Sequence, residues 1–309
     1  MKMKELETIG ESGLIRQIRN ATRVSNPAVL IGIGDDTAVI RGCSKKDILF
    51  TTDMLVEGVH FRLSEASSYQ IGRKALAVNL SDIAAMGGWP TVAVVAVGLP
   101  PNLSLKFVRD LYRGMRDLAS CFHVAIVGGD TNRSEKLVLS VALLGEVKKN
   151  KAIRRSGAEC GDVIFVTGPL GGSYTSKKHL NFIPRLKESR FLTRHFKIHA
   201  MMDLSDGLAS DIHRLCEESG VGAILSREAI PTSPFAKNRD AALSDGEDFE
   251  LLFTLSPKEA ARLTLYSLER NIGPFWPVGK IVSKRQGIKI TEPGRDAKDL
   301  LEKGFDHFK

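Results

Sequence analysis

One pattern recurs along this chain and limits what it can fold into. An apolar, β-rich run ends in one or two aspartates, at Asp35-Asp36, Asp53, Gly129-Asp130 and Asp203, and Asp82 interrupts an equally apolar stretch. The clearest case is Met201-Met202-Asp203-Leu204-Ser205-Asp206-Gly207-Leu208-Ala209-Ser210-Asp211. It reads as a strand end, a polar turn and a helix start. Asp203 and Asp206 are three apart, so in a helical first turn they share one side. Two carboxylates flanking Ser205 at the positive end of a helix can hold Mg²⁺ and the phosphates that travel with it. Helix capping explains any one such turn as well. Recurrence favours a fold that gathers the aspartates at one site.

A chain of 309 residues is long enough for two domains. No apolar run reaches membrane-spanning length, and the opening Met1-Lys2-Met3-Lys4-Glu5 has no apolar signal core, so a cytoplasmic protein without a membrane partner is expected. Cys43, Cys121, Cys160 and Cys216 are scattered, which speaks against a zinc site or a disulfide framework. The formal net charge is +8, but the basic residues are dispersed with few aromatics among them. That favours a solvated surface or attraction of a polyphosphate over nucleic-acid binding.

In order, residues 5–25 pattern as an amphipathic helix, and residues 28–40 as strand, glycine turn, strand. Gly32-Ile33-Gly34 lacks the third glycine and the following helix of a dinucleotide fingerprint. A β-rich run ends at Thr51-Thr52-Asp53, with His60 and Phe61 beyond. Residues 71–86 have the period of an internal helix, interrupted by Lys74, Asn79 and Asp82. If buried, Asp82 needs a cation or a partner. Strands follow at 91–99, at 124–127 (short and buried) and at 137–147, with a helix at 104–122 capped by Ser104. Alternation without regular spacing predicts mixed α/β rather than a doubly wound parallel sheet. The basic run Lys148-Lys149-Asn150-Lys151 suggests domains at 1–148 and 149–309. In the second half, strands are expected at 163–167, 222–225, 251–255, 278–282 and 288–290, with helices at about 184–196, to 219, and at 257–270. The glycine-rich Gly168–Ser173 loop lacks the ending of a P-loop.

Taken together, these motifs resemble the thiamine-monophosphate kinase family. Its superfamily also holds aminoimidazole ribonucleotide synthase, selenophosphate synthetase and a hydrogenase-maturation protein. The matching pieces are Gly32-Ile-Gly-Asp-Asp36, Thr52-Asp53, His60-Phe61, the stretch from Lys74 to Gly87, Gly128-Gly-Asp-Thr131, Arg155-Ser-Gly157, Asp203-Leu-Ser-Asp-Gly207, Gly246-Glu-Asp-Phe-Glu-Leu251 and Gly304-Phe-Asp-His-Phe308. They span nearly the whole chain in the family's order. The resemblance implies a two-domain, aminoimidazole-ribonucleotide-synthase-like fold and a homodimer pairing its N-terminal sheets. It implies ATP-dependent phosphorylation of thiamine monophosphate to thiamine diphosphate with several Mg²⁺ ions. By motif, Asp36, Thr51, Thr52, Asp53, Asp82, Asp130, Asp203 and Asp206 correspond to the Mg²⁺ shell. Tyr112, Gly129, Asp130, Arg155 and Ser205 correspond to nucleotide contacts, and His60, Glu247 and Phe305 to the thiamine-phosphate side. Asp82, Asp130, Arg155 and Asp206 are the expected catalytic set.

The chain departs from the pattern in its second half. Segments 173–179 and 230–241 are short, and Ser244-Asp245-Gly246 replaces a double glycine. A rival ATP-using member of the superfamily is the alternative, as is a nucleotide-binding protein with a degraded pocket. Selenide chemistry would call for a reactive cysteine in a glycine-rich N-terminal segment, which is absent. The maturation type would end in cysteine, whereas this sequence ends Phe308-Lys309. No Ser-His-Asp or Cys-His set stands out, in keeping with direct transfer rather than a covalent intermediate.

Overall fold

The computed structural model describes residues 6–22, 26–270 and 273–308. The first half comprises α1 (Leu6–Ala21), β1 (Val29–Ile31), β2 (Ala38–Ile40), β3 (Lys46–Val56), α2 (Ser68–Ala85), β4 (Trp89–Leu99), α3 (Leu105–Phe122), β5 (Ala125–Arg133) and β6 (Val138–Lys148). Its six strands form one sheet in the order β1-β2-β3-β6-β4-β5. Only β4 and β5 run parallel. On β6, buried Leu139, Val141, Leu143 and Val147 alternate with half-buried Val138, Ser140, Ala142 and Leu144, so one face is covered and the other open.

Helix α2 covers that face. Ser67 caps it, accepting from the Gln70 amide while the Gln70 side chain takes the Ser67 N–H. Thirteen of its residues are buried, because it packs on the first sheet, on α3 and on the second half together. The approach of α2 to α3 is close enough to need glycine. A Cβ at Gly72 would meet the Leu111 carbonyl, and one at Gly114 the Tyr69 carbonyl.

The second half comprises β7 (Val163–Val166), α4 (Lys178–Asn181), α5 (Leu186–His195), β8 (Ala200–Asp203), α6 (Leu208–Ser219), β9 (Val221–Ser226), α7 (Ala241–Ser244), β10 (Leu251–Leu255), α8 (Pro257–Arg270), β11 (Trp276–Ser283), β12 (Ile288–Thr291) and β13 (Lys298–Asp299). The sheet order is β13-β12-β9-β11-β7-β10-β8. Phe165, Met201, Leu251 and Phe253 join the core that reaches from the first sheet through α2. Ile164, Val166, Met202 and Leu252 face the opposite way, into a second core with α6. Both faces of this sheet are therefore covered, as its continuously apolar strands require.

Three local expectations change. The strand expected at 124–127, short and buried, is a nine-residue edge strand whose residues are mostly exposed. It is the sheet's edge strand, and of its residues only Ile126 packs against the core. Helix α6 begins at Leu208, so Asp203 ends β8 and Asp206 lies in the connecting turn; the two do not share a helical turn. The helix expected over 184–196 is α5, preceded by the separate turn α4.

Candidate functional site

A cavity of about 1330 Å³ opens between the two halves, beneath α1. The aspartate-bearing ends converge on it. Asp36 comes from the turn before β2, Asp82 from α2 and Asp203 from the end of β8, and one carboxylate oxygen of each lies within 4.8 Å of the others. Asp53, Thr51, Thr52, Ser205 and Asp206 line the same cavity.

Neighbouring side chains fix the cluster. Thr51 Oγ1 donates to Asp82 Oδ2 at 2.5 Å, and Ser81 Oγ to Asp203 Oδ2 at 2.6 Å. The Asp53 amide donates to Asn79 Oδ1 at 3.1 Å. Thus the polar interruptions of α2 meet the site rather than solvent. The Arg155 guanidinium holds both oxygens of Asp36, at 2.6 and 3.4 Å, and its backbone N–H donates to Asp35 at 2.6 Å. Arg214 pairs with Asp206 and, at 3.1 Å, with Asp211. Asp211 in turn accepts the Asp206 and Gly207 amides, so one buried carboxylate shapes the turn between β8 and α6.

Crowding these carboxylates away from water is costly without a cation. Burial pushes Asp203 up to about 8, with the Asp36 charge adding to it, and Asp53 up to about 6. Burial raises Asp82 well above the carboxylate range, reinforced by Asp53, Asp203 and Asp36. Burial works against the Arg155 charge, but Asp36 more than offsets it and the guanidinium stays charged. The donors are carboxylates and threonine hydroxyls, with no Cys among them, which suits a hard divalent cation such as Mg²⁺.

Tyr174, His60, Glu247, Phe305 and His307 also line the cavity. The His60 and His307 rings sit 5.1 Å apart, and Phe305 meets His307 edge-on at 4.7 Å. Burial, with His307 and Lys74 nearby, pushes the His60 imidazole down to about 4. The Phe305 N–H donates to the Asp206 carbonyl, tying the chain end to the carboxylate turn. The glycine-rich loop is occupied by protein carboxylates. Gly171 N–H donates to Asp248 at 2.7 Å and Gly172 N–H to Asp245 at 2.9 Å.

Three expected residues stand apart from this cavity. Tyr112 packs on the core from α3. Gly129 and Asp130 lie on the edge strand β5, three strands from β3, where Asp130 accepts from Asn132 at 2.6 Å. Within one chain these three do not join the other site residues. Sequence reasoning gives no role to Asn79, Ser81, Asp211, Arg214 or His307. For Asn79 a signal is present, as a polar break in an apolar helix. For Asp211 and Arg214 nothing sets them apart from ordinary helix-surface charges.

The family profile for "AIR synthase related protein, N-terminal domain" matches residues 34–147, and the corresponding C-terminal domain matches 159–291. The thiamine-monophosphate kinase of Rhodopirellula baltica is 38% identical, with 96% of this chain and 97% of the relative covered. The Bacillus subtilis enzyme of that name is 34% identical, over 97% and 99%. A solved structure described as "AaThiL complexed with AMPPCP and TMP" superposes with a TM-score of 0.84 at 30% identity, covering 99% of this chain and 100% of that one. Escherichia coli HypE, a hydrogenase maturation protein, shares the fold at 18% identity and a TM-score of 0.70. On its two matched domains and on relatives aligned end to end, the chain belongs to the thiamine-monophosphate kinase family, within the AIR synthase related proteins.

Proposed function

We propose that this chain is an ATP-dependent thiamine-monophosphate kinase that transfers the γ-phosphoryl group of ATP directly to the phosphate of thiamine monophosphate, yielding thiamine diphosphate. The observation that carries this reading is the joining, in one cavity, of a carboxylate cluster able to hold divalent cations with an aromatic, carboxylate-bearing group of side chains suited to the acceptor. A relative of the same fold binds an ATP analogue and TMP. The acceptor is a phosphate oxygen, ionised near neutral pH, so no strong base is required. The obstacle is repulsion between anions, roughly 1 kcal/mol for two unit charges at about 4 Å in water and about 4 kcal/mol near a protein surface. Mg²⁺, held by Asp36, Asp53, Asp82 and Asp203 with Thr51, Thr52 and Asp206, supplies the charge that offsets it. Arg155 orients Asp36 and places a fixed positive charge beside the cluster. Ser205 lies between the two aspartates of the turn, open to the cavity for the nucleotide. Glu247 offers a carboxylate to the thiazolium cation, with His60 and Phe305 packing beside it. An ADP-release assay tests this. ADP should form with thiamine monophosphate present, and both Asp82→Asn and Asp206→Asn should abolish its formation. Full activity in either variant would remove the cation assignment.

We further propose a homodimer in which the open sheet faces pair. Phe50, Met54, Val94 and Val127 expose apolar surface there at 42, 58, 42 and 63%, and apolar side chains grouped on one open face suit a partner surface. By strand register, Met54, Ser140, Ala96 and Asp130 form one row across that face. A partner sheet laid over it would bring the second copy's β5, with Gly129 and Asp130, toward this chain's β3. Asp130 and Gly129 are then read as the partner's contribution to each site. No helix among the described residues is long and apolar enough to cross a membrane. A cytoplasmic setting, the compartment of ATP, fits the four unpaired cysteines.

A further inference from the structure

Lys74 is the polar interruption of α2 that phosphoryl transfer leaves without a role. It is completely buried, at 0% exposure, in the middle of a helix. A lysine is held there only with strong partners, since burial disfavours its charge. It has two. Its Nζ donates to Glu247 Oε1 at 2.5 Å and to the His60 carbonyl at 2.8 Å. One residue belongs to each half of the molecule, and both line the cavity.

Glu247 itself is strained. Its φ of 61° is left-handed, as is the 50° of Phe249 two residues on. The backbone is held there on both sides: the Glu247 N–H donates to the Ser205 carbonyl at 2.6 Å, and its carbonyl accepts from Ser173 Oγ at 2.8 Å. The result is a carboxylate with one oxygen clamped. Oε2 has no protein partner among the described residues, and the side chain stays a quarter exposed to the cavity.

We infer that Lys74 is a positioning residue for the acceptor: it fixes Glu247 with Oε1 bound and Oε2 presented to the cationic ring of the substrate, and it joins His60 to the same anchor. The inference rests on the kinase reading and deepens it. A weld between the halves with no bearing on the acceptor is the competing account, and the two differ in the consequence of losing Lys74. Acting through Glu247, the lysine matters only while Glu247 is there.

The test is a double-mutant cycle on the full chain, with thiamine monophosphate binding measured by calorimetry for wild type, Lys74→Met, Glu247→Gln and the double variant. Lys74→Met should weaken acceptor binding about tenfold in the wild-type background and less than about twofold in the Glu247→Gln background. The KM for ATP should move less than about twofold, while that for the acceptor rises in step with the binding loss. Should Lys74→Met fail to fold, Lys74→Gln carries the same test, because its shorter amide cannot span His60 and Glu247 together. Equal losses in both backgrounds, no loss in either, or parallel rises in both KM values would overturn the inference. Wild type that binds ATP but no thiamine monophosphate would take down the kinase reading and this inference with it. Wild type that binds it while the cycle is additive removes this inference alone.

Discussion

Asp82 stands on a helix that is otherwise almost wholly apolar, within reach of two further buried carboxylates. Chemistry and stability make opposite demands on it. Asp82→Asn should abolish turnover and at the same time raise the melting temperature in metal-free buffer, because it removes a carboxyl that, without a cation, must take up a proton to stay in a desolvated cluster. Differential scanning calorimetry with EDTA reads this, and a lower melting temperature would contradict it. The same repulsion sets a pH dependence. Asp203, pushed up to about 8 against an ordinary carboxylate value near 4, holds its proton in the folded state. Its contribution is present below the unfolded value and lost as pH rises through about 8. His60 runs the other way: its value of about 4 means that stability is present above about 6.5 and lost as pH falls. Between pH 6.5 and 8 the His60 contribution is already complete while that of Asp203 still falls, so the metal-free protein should lose melting temperature over that window and saturating Mg²⁺ should remove most of the loss. A melting temperature that rises with pH without metal would contradict this.

At the scale of elements, α2 links fold and site, and its sequence shows both. The apolar period marks it as internal, and Lys74, Asn79 and Asp82 mark where it meets something polar. The direction of each polar side chain is not legible in the sequence, since α2 is buried all round and offers no solvent face as a reference. The close contact of α2 and α3 depends on Gly72 and Gly114. Gly72→Ala or Gly114→Ala should cost about 1–3 kcal/mol in urea unfolding through overpacking, with KM values of the folded enzyme nearly unchanged. An unchanged midpoint would show that the helices separate easily. The turn between β8 and α6 is legible as a carboxylate turn, but its geometry is not. Asp203 and Asp206 are aligned by Asp211, which accepts two turn amides, and that role looks like any polar residue in a first helical turn. β5 reads as buried because its apolar start resembles a core strand. Whether a layer covers it is a matter of topology and not of local pattern.

At the scale of the molecule, order along the chain is legible and company in space only partly so. Two α/β halves with aspartates at their facing edges follow from the recurring motif, and the shared core through α2 does not. Asp130 shows the limit most plainly: its motif matches the site, yet within one chain it lies on the far edge of the sheet. If the partner supplies it, subunits carrying Asp130→Asn and Asp206→Asn are each inactive alone but form one intact site per mixed dimer. Equal mixtures, co-refolded, should recover about a quarter of wild-type activity. No recovery, with mixed dimers verified by native mass spectrometry, would return Asp130 to its own chain's chemistry. The central claim, that this cavity moves a phosphoryl group from ATP onto thiamine monophosphate, is tested most directly by a phosphorus NMR time course with ATP, Mg²⁺ and thiamine monophosphate against a control without acceptor. The account predicts thiamine diphosphate signals growing in step with ADP, and no ADP in the control. ADP appearing equally fast without the acceptor, or no turnover at all, would contradict it.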